Sequence, residues 1–579
     1  RRAWYPLGGG RRAAVGGEDG LRDGQENPVD GIEVMEEPGA VTPLRPVAAG
    51  VVAFVGRTLR GPVGRPVRLH SFTEFERVFG GLWQPAPLGH AVAHFFANGG
   101  TVALVVRVVN GAAATSLSLP TAEGGLGWVL RARHPGTREF LRASVDFDGL
   151  GADESDEFNL LVQRVRAPGG EAVESQECYP RASCVPGTPR FLGDLLADSA
   201  LVALEGPWPV GRPAATPARS WICSRPDGDD GAPPTEHDLI GDPGARTGLQ
   251  ALADGGFQWL VLPPPARDRD LGPLVRFVAA RFCGERQAML LVDPPAAWDS
   301  VATACAALSD WSLRSADAAL WFPWIETHDP LRGQSCRFPP SGAVAGLLSR
   351  QEGAHPPTLE SSAALPLPPL RPGFALSVRV CPEERLRLGT LGANVPSTVR
   401  VPRGQCPPQV TLAAPTARSG FAARLLPRRR WQALLAAVLG GTRWVLFHAA
   451  PPGPAVWRPL ADQVGRWLAS QMDPAAATAG WFVVCDGRLH PPGTASGTVR
   501  FLIGLRDGDT WYTTLVTRTG SGVSVEPVSP NAWALLPRPT AVAPMPLPGP
   551  STAPSSIPTA PAGATAPVAV PRRAGGQSG

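Results

Sequence analysis

The chain has 579 residues, of which 43% are hydrophobic and 18% charged, and its formal net charge is +4. This length predicts two to four domains with sizeable cores, and so small a net charge argues against a nucleic-acid partner held by a large basic field. Gly and Pro, 66 each, make up about 23% of the chain, so loops and tails occupy much of it. All 54 basic residues are arginine, which excludes a P-loop lysine, a Schiff-base lysine and a kinase-type lysine.

Residues 1–30, rich in Gly, Arg and Asp, read as disordered. Val51 to Val55 is a short apolar run ending at Gly56, a buried strand. Ser71 predicts a helix cap, with Glu74 at the capping-box position, for a helix through Phe72, Phe75, Val78 and Phe79. A second helix covers Leu88 to Ala97, stopped by Gly99-Gly100, and Val102 to Val109 follows as a strand. Residues 115–245 alternate more often and carry turn residues throughout, with strands at 129–133, 142–147 and 158–165. This segment reads as an inserted β-rich domain. The α/β pattern then resumes, with strands at 257–262, 288–292 and 318–322 and helices at 271–282 and 298–308. Near the end, Trp444–Phe447 and Trp481–Val484 read as strands flanking a helix at 456–468. Apolar strands alternating with helices of this length predict a mostly parallel sheet covered on both faces. Residues 541–579 are mostly Pro, Ala, Ser, Thr and Gly and read as a disordered tail.

Nine scattered cysteines with no C-x-x-C pair predict reduced thiols rather than a disulfide framework. No run of 18 apolar residues predicts a membrane span. The opening Arg1-Arg2 and the Gly/Arg-rich stretch after it lack the apolar core of a signal peptide.

Several patterns bear on chemistry. His90-x-x-x-His94 has the spacing of a zinc helix, but lacks the adjacent Glu base; the alternative is a packing helix with both rings at its edge. The run from Asp146 to Glu157 has acids at calcium-loop positions 1, 3, 9 and 12 and Gly151 at position 6, but Leu150 occupies position 5. A solvated acidic hairpin is the alternative. No G-x-S-x-G occurs, and Asp293, His237-Asp238 and His328-Asp329 stand isolated. Gly241 to Gly248 is a Gly-rich loop without the G-x-G-x-x-G fingerprint. Arg428-Arg429-Arg430 is a basic cluster opening a helix whose Trp431, Leu434, Leu435 and Val438 share one face, expected to pack on the sheet. Reversing these three charges is expected to leave folding unchanged. No catalytic, cofactor or metal site is assigned.

An ordered set of segments resembles the contractile tail sheath proteins of bacteriophages and phage-tail-like injection particles. Gly31-Ile-Glu-Val-Met-Glu-Glu37 resembles that family's PGVYVEE-type opening strand, with Glu33 at the Tyr position. Val51 to Gly56 with Gly61-Pro62 resembles its "AAFVG…GP" strand and turn, and Phe72 to Gly81 and Ala91 to Gly100 its next two helices, closed by Arg107 to Val109. Met289 to Pro295 resembles "LIVDPP", and Asp329-Pro-Leu-Arg332 with Pro340 to Gly346 resembles "DPLR…PSGAVAG". Leu388 to Asn394 resembles "LNPLGIN", and Arg429-Arg430 with Trp444 to Phe447 resembles "RR…WVVFE". The "WGARTL" segment is replaced by Val410 to Pro415, and a further strand pair, 499–505 and 511–518, precedes the tail.

The resemblance implies an α/β fold with a mostly parallel, subtilisin-like sheath core, an inserted β-rich protrusion domain and extended terminal arms. It divides the chain into a disordered segment 1–30, an arm 31–47, core parts 48–112 and 246–425, the insert 113–245, a C-terminal part 426–530 and a tail 531–579. It implies a non-enzymatic sheath subunit without cofactor, forming helical stacked rings around an inner tail tube, with baseplate and tail-terminator partners, no nucleic acid and no direct membrane insertion. Assembly is expected in the bacterial cytoplasm. Ile32, Val34, Glu36 and Glu37 become arm candidates for strand exchange between subunits. Arg428, Arg429, Arg430, Arg458 and Arg466 become candidates for contact with the tube or a neighbour. The readings set against this are an α/β hydrolase-like enzyme and an adhesin-like module recognising through its β-insert.

Overall fold

A computed structural model describes residues 43–46, 50–121, 124, 127–151, 154–207, 209, 211–354, 366–402, 407–413, 421–447, 453–471, 480–490, 494, 497–507, 510–520 and 522–528. The arm candidates Ile32, Val34, Glu36 and Glu37 and the segments 1–30 and 531–579 lie outside the described residues. All described residues belong to one compact unit, Arg1–Val528.

Apolar runs too short for helices and buried on both sides form the main sheet. Its seven strands lie in the order Ala393–Asn394, Ala318–Trp321, Met289–Val292, Trp259–Val261, Val51–Gly56, Val102–Arg107, Val67–Leu69. All neighbours pair in parallel except the edge strand Val67–Leu69. Side-chain alternation divides Val51–Gly56 between two cores. Val51, Ala53 and Val55 face helices Pro273–Glu285 and Val301–Ser309, which contribute Val275, Ala279, Ala304 and Leu308. Val52 and Phe54 face helices Phe72–Phe79, Leu88–Ala97 and Ser341–Ala354, which contribute Phe75, Phe79, Phe95, Val344 and Leu348. Ser71 caps the first of these helices by accepting from Glu74 N, and Gly80 ends it at φ 88°. The Glu74 carboxylate accepts from His70 N rather than from Ser71 N.

Helices Leu88–Ala97 and Ser341–Ala354 touch backbone to backbone because Gly342 and Gly346 share one face a turn apart. A Cβ on Gly342 would lie 2.4 Å from the Ala91 carbonyl oxygen, and one on Gly346 2.4 Å from that of Phe95. Gly342→Val is expected to destabilise the chain by about 3 kcal/mol through overpacking against rigid backbone. A urea denaturation midpoint equal to wild type would remove this close approach as a structural requirement.

Between Val102–Arg107 and Trp259–Val261 the chain builds two antiparallel sheets. Ser116–Leu119, Trp128–Ala132 and Val202–Glu205 form one; Ile222–Cys223, Phe140–Asp146, Glu157–Val165 and Val173–Ser183 form the other. Burial alternates strictly along Phe140–Asp146. The inward residues, with Trp128, Leu130, Phe158, Leu160 and Leu192, make a separate hydrophobic cluster. Arginines clamp this region to the main sheet. Arg60 donates to Glu174 at 2.6 Å. Buried Arg107 donates to the Gly61 and Pro135 carbonyls, each at 2.7 Å. Arg57 stacks on Trp83 and donates to the carbonyls of Asp230 and Gly231.

The C-terminal part has its own core, and here the structure corrects two expectations. Arg443–Phe447 is a 3-10 helix, not a strand. A short apolar run does not distinguish a strand from a buried helical turn, and Trp444 and Val445 pack into this core with Trp444 Nε1 donating to Gln463 Oε1 at 2.8 Å. Trp431, Leu434, Leu435 and Val438 of helix Leu425–Gly441 do not face the main sheet. They pack against Val456, Leu460 and Val464 of helix Pro454–Ser470 and against Phe501 and Ile503. The sheet below runs in the order Trp481–Val484, Val499–Asp507, Thr510–Thr519, Gly522–Val528, all antiparallel. Leu44 is buried in the same cluster, its Cα 3.2 Å from where a Cβ on Gly441 would lie.

Candidate assembly surfaces

The basic cluster does not present three free cations, because it sits inside helix Leu425–Gly441 on the side facing the main sheet. Arg428 donates through Nε and Nη2 to Asp317 Oδ1, at 2.9 and 2.7 Å. Gln432 donates to the same oxygen at 2.6 Å and to the Ala288 carbonyl at 2.7 Å. Arg429 is 3% exposed. It pairs with Glu352 at 2.9 Å, and its guanidinium lies over the Trp259 ring, 5.6 Å from the centroid. Glu352 in turn accepts from Gly50 N. Arg430 also has a partner. The expectation that this cluster meets the tube is therefore corrected for Arg428 and Arg429, whose charges are neutralised within the chain, and reversing them is not neutral for folding. The partners lie 111 and 77 residues away in sequence, beyond the reach of any local pattern.

Arg458 and Arg466 stand differently. Both are exposed on helix Pro454–Ser470, opposite the buried Val456, Leu460, Val464 and Leu468. They lie two turns apart, with Asp462 between them, and Arg466 Nε donates to the Asp462 carbonyl. They are the two sequence-predicted contact residues that are exposed, whereas Arg428 and Arg430 are half-buried and Arg429 is buried.

The strand Gly522–Val528 forms one edge of the C-terminal sheet and is mostly exposed. The strand Trp481–Val484 forms the other. Such edges offer backbone donors and acceptors to a further strand.

His90, His94, Asp293 and Asp329 are absorbed by packing, whereas His237 and His328 are exposed and stand alone among the described residues, as the sequence suggests. His90 and His94 are 2% and 7% exposed, not at the helix edge as expected. His90 Nε2 lies 3.3 Å from Asp329 Oδ1, and His94 packs edge-on against Phe338 and Phe374. Burial, with His90 beside it and against the pull of Asp329, pushes His94 down to about 3. Burial likewise lowers His90 despite its bond to Asp329. For Asp329 burial acts upward, but the Leu331 N–H, His90 and Arg267 outweigh it and hold the carboxyl below its usual range. Ser341 donates through N and Oγ to Asp293, at 2.8 and 2.7 Å. Burial pushes Asp293 up to about 7 against these two bonds. Ser341 is thus paired with Asp293 and His90 with Asp329, so these residues do not form a Ser/His/Asp relay with one another.

In the calcium-loop candidate, Asp146 accepts from Asn159, Glu154 pairs with Arg181, and Glu157 pairs with Arg181 at 3.0 Å. Asp153 lies outside the described residues. Among the described residues there is no group of three side chains able to hold a metal. In the Gly-rich loop, Thr247 N donates to the Asp242 carbonyl and Arg246 pairs with Asp254, closing a compact turn. Among the described residues, no helix is long and apolar enough to cross a membrane.

No protein-family model matches this chain, and no curated protein matches it. Solved structures do. A sheath tail protein from Listeria innocua is similar over 82% of this chain and 96% of its own, at 12% identity and a TM-score of 0.51. A sheath tail protein from Desulfitobacterium hafniense covers 84% and 99% at 11% identity and a TM-score of 0.46. The helical sheath of the anti-feeding prophage in its contracted state covers 84% and 96% at 13% identity and a TM-score of 0.40. The described architecture of this chain is a tail sheath fold.

Proposed function

We propose that this chain is the structural subunit of a contractile tail sheath, polymerising around an inner tube and contracting to drive it through a target envelope. The observation that carries this reading is the shared fold with a sheath tail protein over nearly the whole of that protein, joined to the ordered sheath-like segments of the sequence. The main parallel sheet would be the subtilisin-like sheath core, and the β-rich region the protrusion. The role is non-enzymatic. Partners would be further copies of the chain, the inner tube, the baseplate and the tail terminator, with assembly in the bacterial cytoplasm.

Leu44 docks on the C-terminal core, whose sheet has two open edges, and the segment carrying Ile32, Val34, Glu36 and Glu37 precedes it in sequence. A neighbour's arm adding to such an edge would hold subunits together through backbone bonds while their bodies rotate. Arg458 and Arg466 are the proposed contacts with the tube or a neighbour.

Electron microscopy of the purified full chain, with and without inner-tube protein, tests the reading. Tubes of stacked rings are expected. Deletion of residues 1–42 should leave thermal unfolding unchanged and abolish tubes. Arg458→Glu/Arg466→Glu should keep the fold and weaken tube binding in a salt-dependent manner, since exposed charges are screened over about 8–10 Å at physiological salt. A folded full chain that stays monomeric with inner-tube protein present overturns the sheath assignment.

A further inference from the structure

A cavity of about 210 Å³ opens outside the carboxyl ends of the parallel strands. Pro264, Ala266 and Arg267 follow strand Trp259–Val261 into it, and Trp324 enters from the turn after Ala318–Trp321. Pro87, at the start of helix Leu88–Ala97, also lines the cavity, bringing the positive end of that helix to it.

Three of its lining side chains are arginines, Arg267, Arg332 and Arg337, and none is an Asp or Glu. Arg267 is held in place. Its Nε donates to the Gln84 carbonyl at 3.1 Å and its Nη2 to Asp329 Oδ2 at 2.8 Å, and its guanidinium lies over the Phe338 ring, 5.1 Å from the centroid. Nη1 remains without a protein partner among the described residues. Arg337 lies towards the Trp324 ring, 6.0 Å from its centroid. Its cross-strand neighbour is Glu326, yet the two form no ion pair. Arg332 stands on the hairpin turn after Asp329, exposed and in no ion pair. Asp329 is the one nearby acid bonded into this group, and its oxygens are shared by Arg267, His90 and the Leu331 N–H. Guanidinium charge therefore exceeds carboxylate charge around a small, walled space, with one arginine fixed before any ligand arrives.

We infer that this cavity is an oxyanion site, taking a phosphate or carboxylate group between Arg267, Arg332 and Arg337. The donor could be a free inorganic ion or an acidic side chain of a second copy of this chain; both present the same planar or tetrahedral oxygens to forked N–H donors. The site does not depend on the sheath reading.

Calorimetric titration of the full chain with inorganic phosphate, at constant ionic strength set by chloride, is the test. Saturable binding is expected in wild type. Arg332→Gln/Arg337→Gln should weaken it at least about tenfold, as loss of charge-assisted bonds does, while leaving the phosphate-free melting temperature unchanged because both side chains are exposed. Arg246→Gln, a distant exposed arginine, should bind as wild type. A peptide of residues 31–40, carrying Glu33, Glu36 and Glu37, forms the second arm. If it displaces phosphate from wild type and the same peptide with its three glutamates replaced by glutamine does not, the carboxylate source is a second chain; if neither competes, the source is a free ion. Absence of saturable phosphate binding, or equal binding by wild type and the double variant, overturns the inference.

Discussion

Arg429→Met is expected to lower the unfolding free energy by about 3–5 kcal/mol, the cost of leaving one member of a buried ion pair uncompensated. Arg429 is 3% exposed and Glu352 6%. Once the guanidinium is gone, the described partner left to the Glu352 carboxylate is the Gly50 N–H. The cation's position over Trp259 adds a contribution that Met cannot replace. The double variant Arg429→Met/Glu352→Leu should recover much of the loss, since an apolar pair of similar volume often substitutes for a buried ion pair at little net cost. Arg458→Met, on the exposed face of the neighbouring helix, should change stability by less than about 0.5 kcal/mol. Chemical denaturation of the four chains checks the series, and a single Arg429 variant as stable as wild type would falsify the internal-clamp reading. The contrast also decides which arginines can report on assembly. Substituting Arg429 perturbs the fold, so only the Arg458 and Arg466 variants separate lost contact from lost structure.

What the linear sequence reveals here follows the range of the forces involved. Helix Leu88–Ala97 was legible to the residue because its apolar spacing and the Gly99-Gly100 stop are local. The five central strands of the main sheet are legible because burial on both faces demands unbroken apolar runs, while the edge strands Val67–Leu69 and Ala393–Asn394 are too short to carry one. Trp444–Phe447 reads as a strand yet folds as a 3-10 turn because four apolar residues carry no period long enough to separate the two. The strand Gly522–Val528 leaves no signal because an exposed edge has little apolar patterning to show. Helix Pro382–Thr390 is silent for a similar reason: its one buried residue is Leu388.

The candidate sites obey the same principle. A run of three arginines looks like a surface patch in one dimension, because the acids that neutralise it, Asp317 and Glu352, arrive only through tertiary folding. The cavity arginines are the converse. Arg267 comes from the loop after Trp259–Val261 and Arg332 and Arg337 from the hairpin Ile325–Phe338, and no local motif of charge joins them. The resemblance drew attention to Asp329 and Arg332 as a segment, without saying that one fixes Arg267 and the other faces the space beside it.

Lowering the pH from 7.5 to 5 is expected to destabilise the chain through His94 by about 2 kcal/mol, rising to about 4–5 kcal/mol near pH 3. The ring is neutral in the fold, where burial holds it down to about 3, and titrates near 6.5 when unfolded. Between those values the unfolded chain binds a proton that the folded chain refuses. Stability from this group is therefore fully present above about 6.5 and is lost as pH falls towards 3. Protonation in place would set a cation among Phe338, Phe374 and His90, with Asp329 too committed to His90 and Arg267 to receive it. Asp293 works with the opposite sign. Its carboxyl, pushed up to about 7, keeps a proton that the unfolded chain gives up above about 4, so its contribution weakens as pH rises through that interval. The informative quantity is thus the difference between wild type and His94→Leu, which retains an apolar filler and removes the titrating ring. Urea denaturation at several pH values should show the wild type losing stability faster than the variant between pH 6.5 and 4. Parallel pH profiles for the two chains would mean that His94 is not held neutral by the fold.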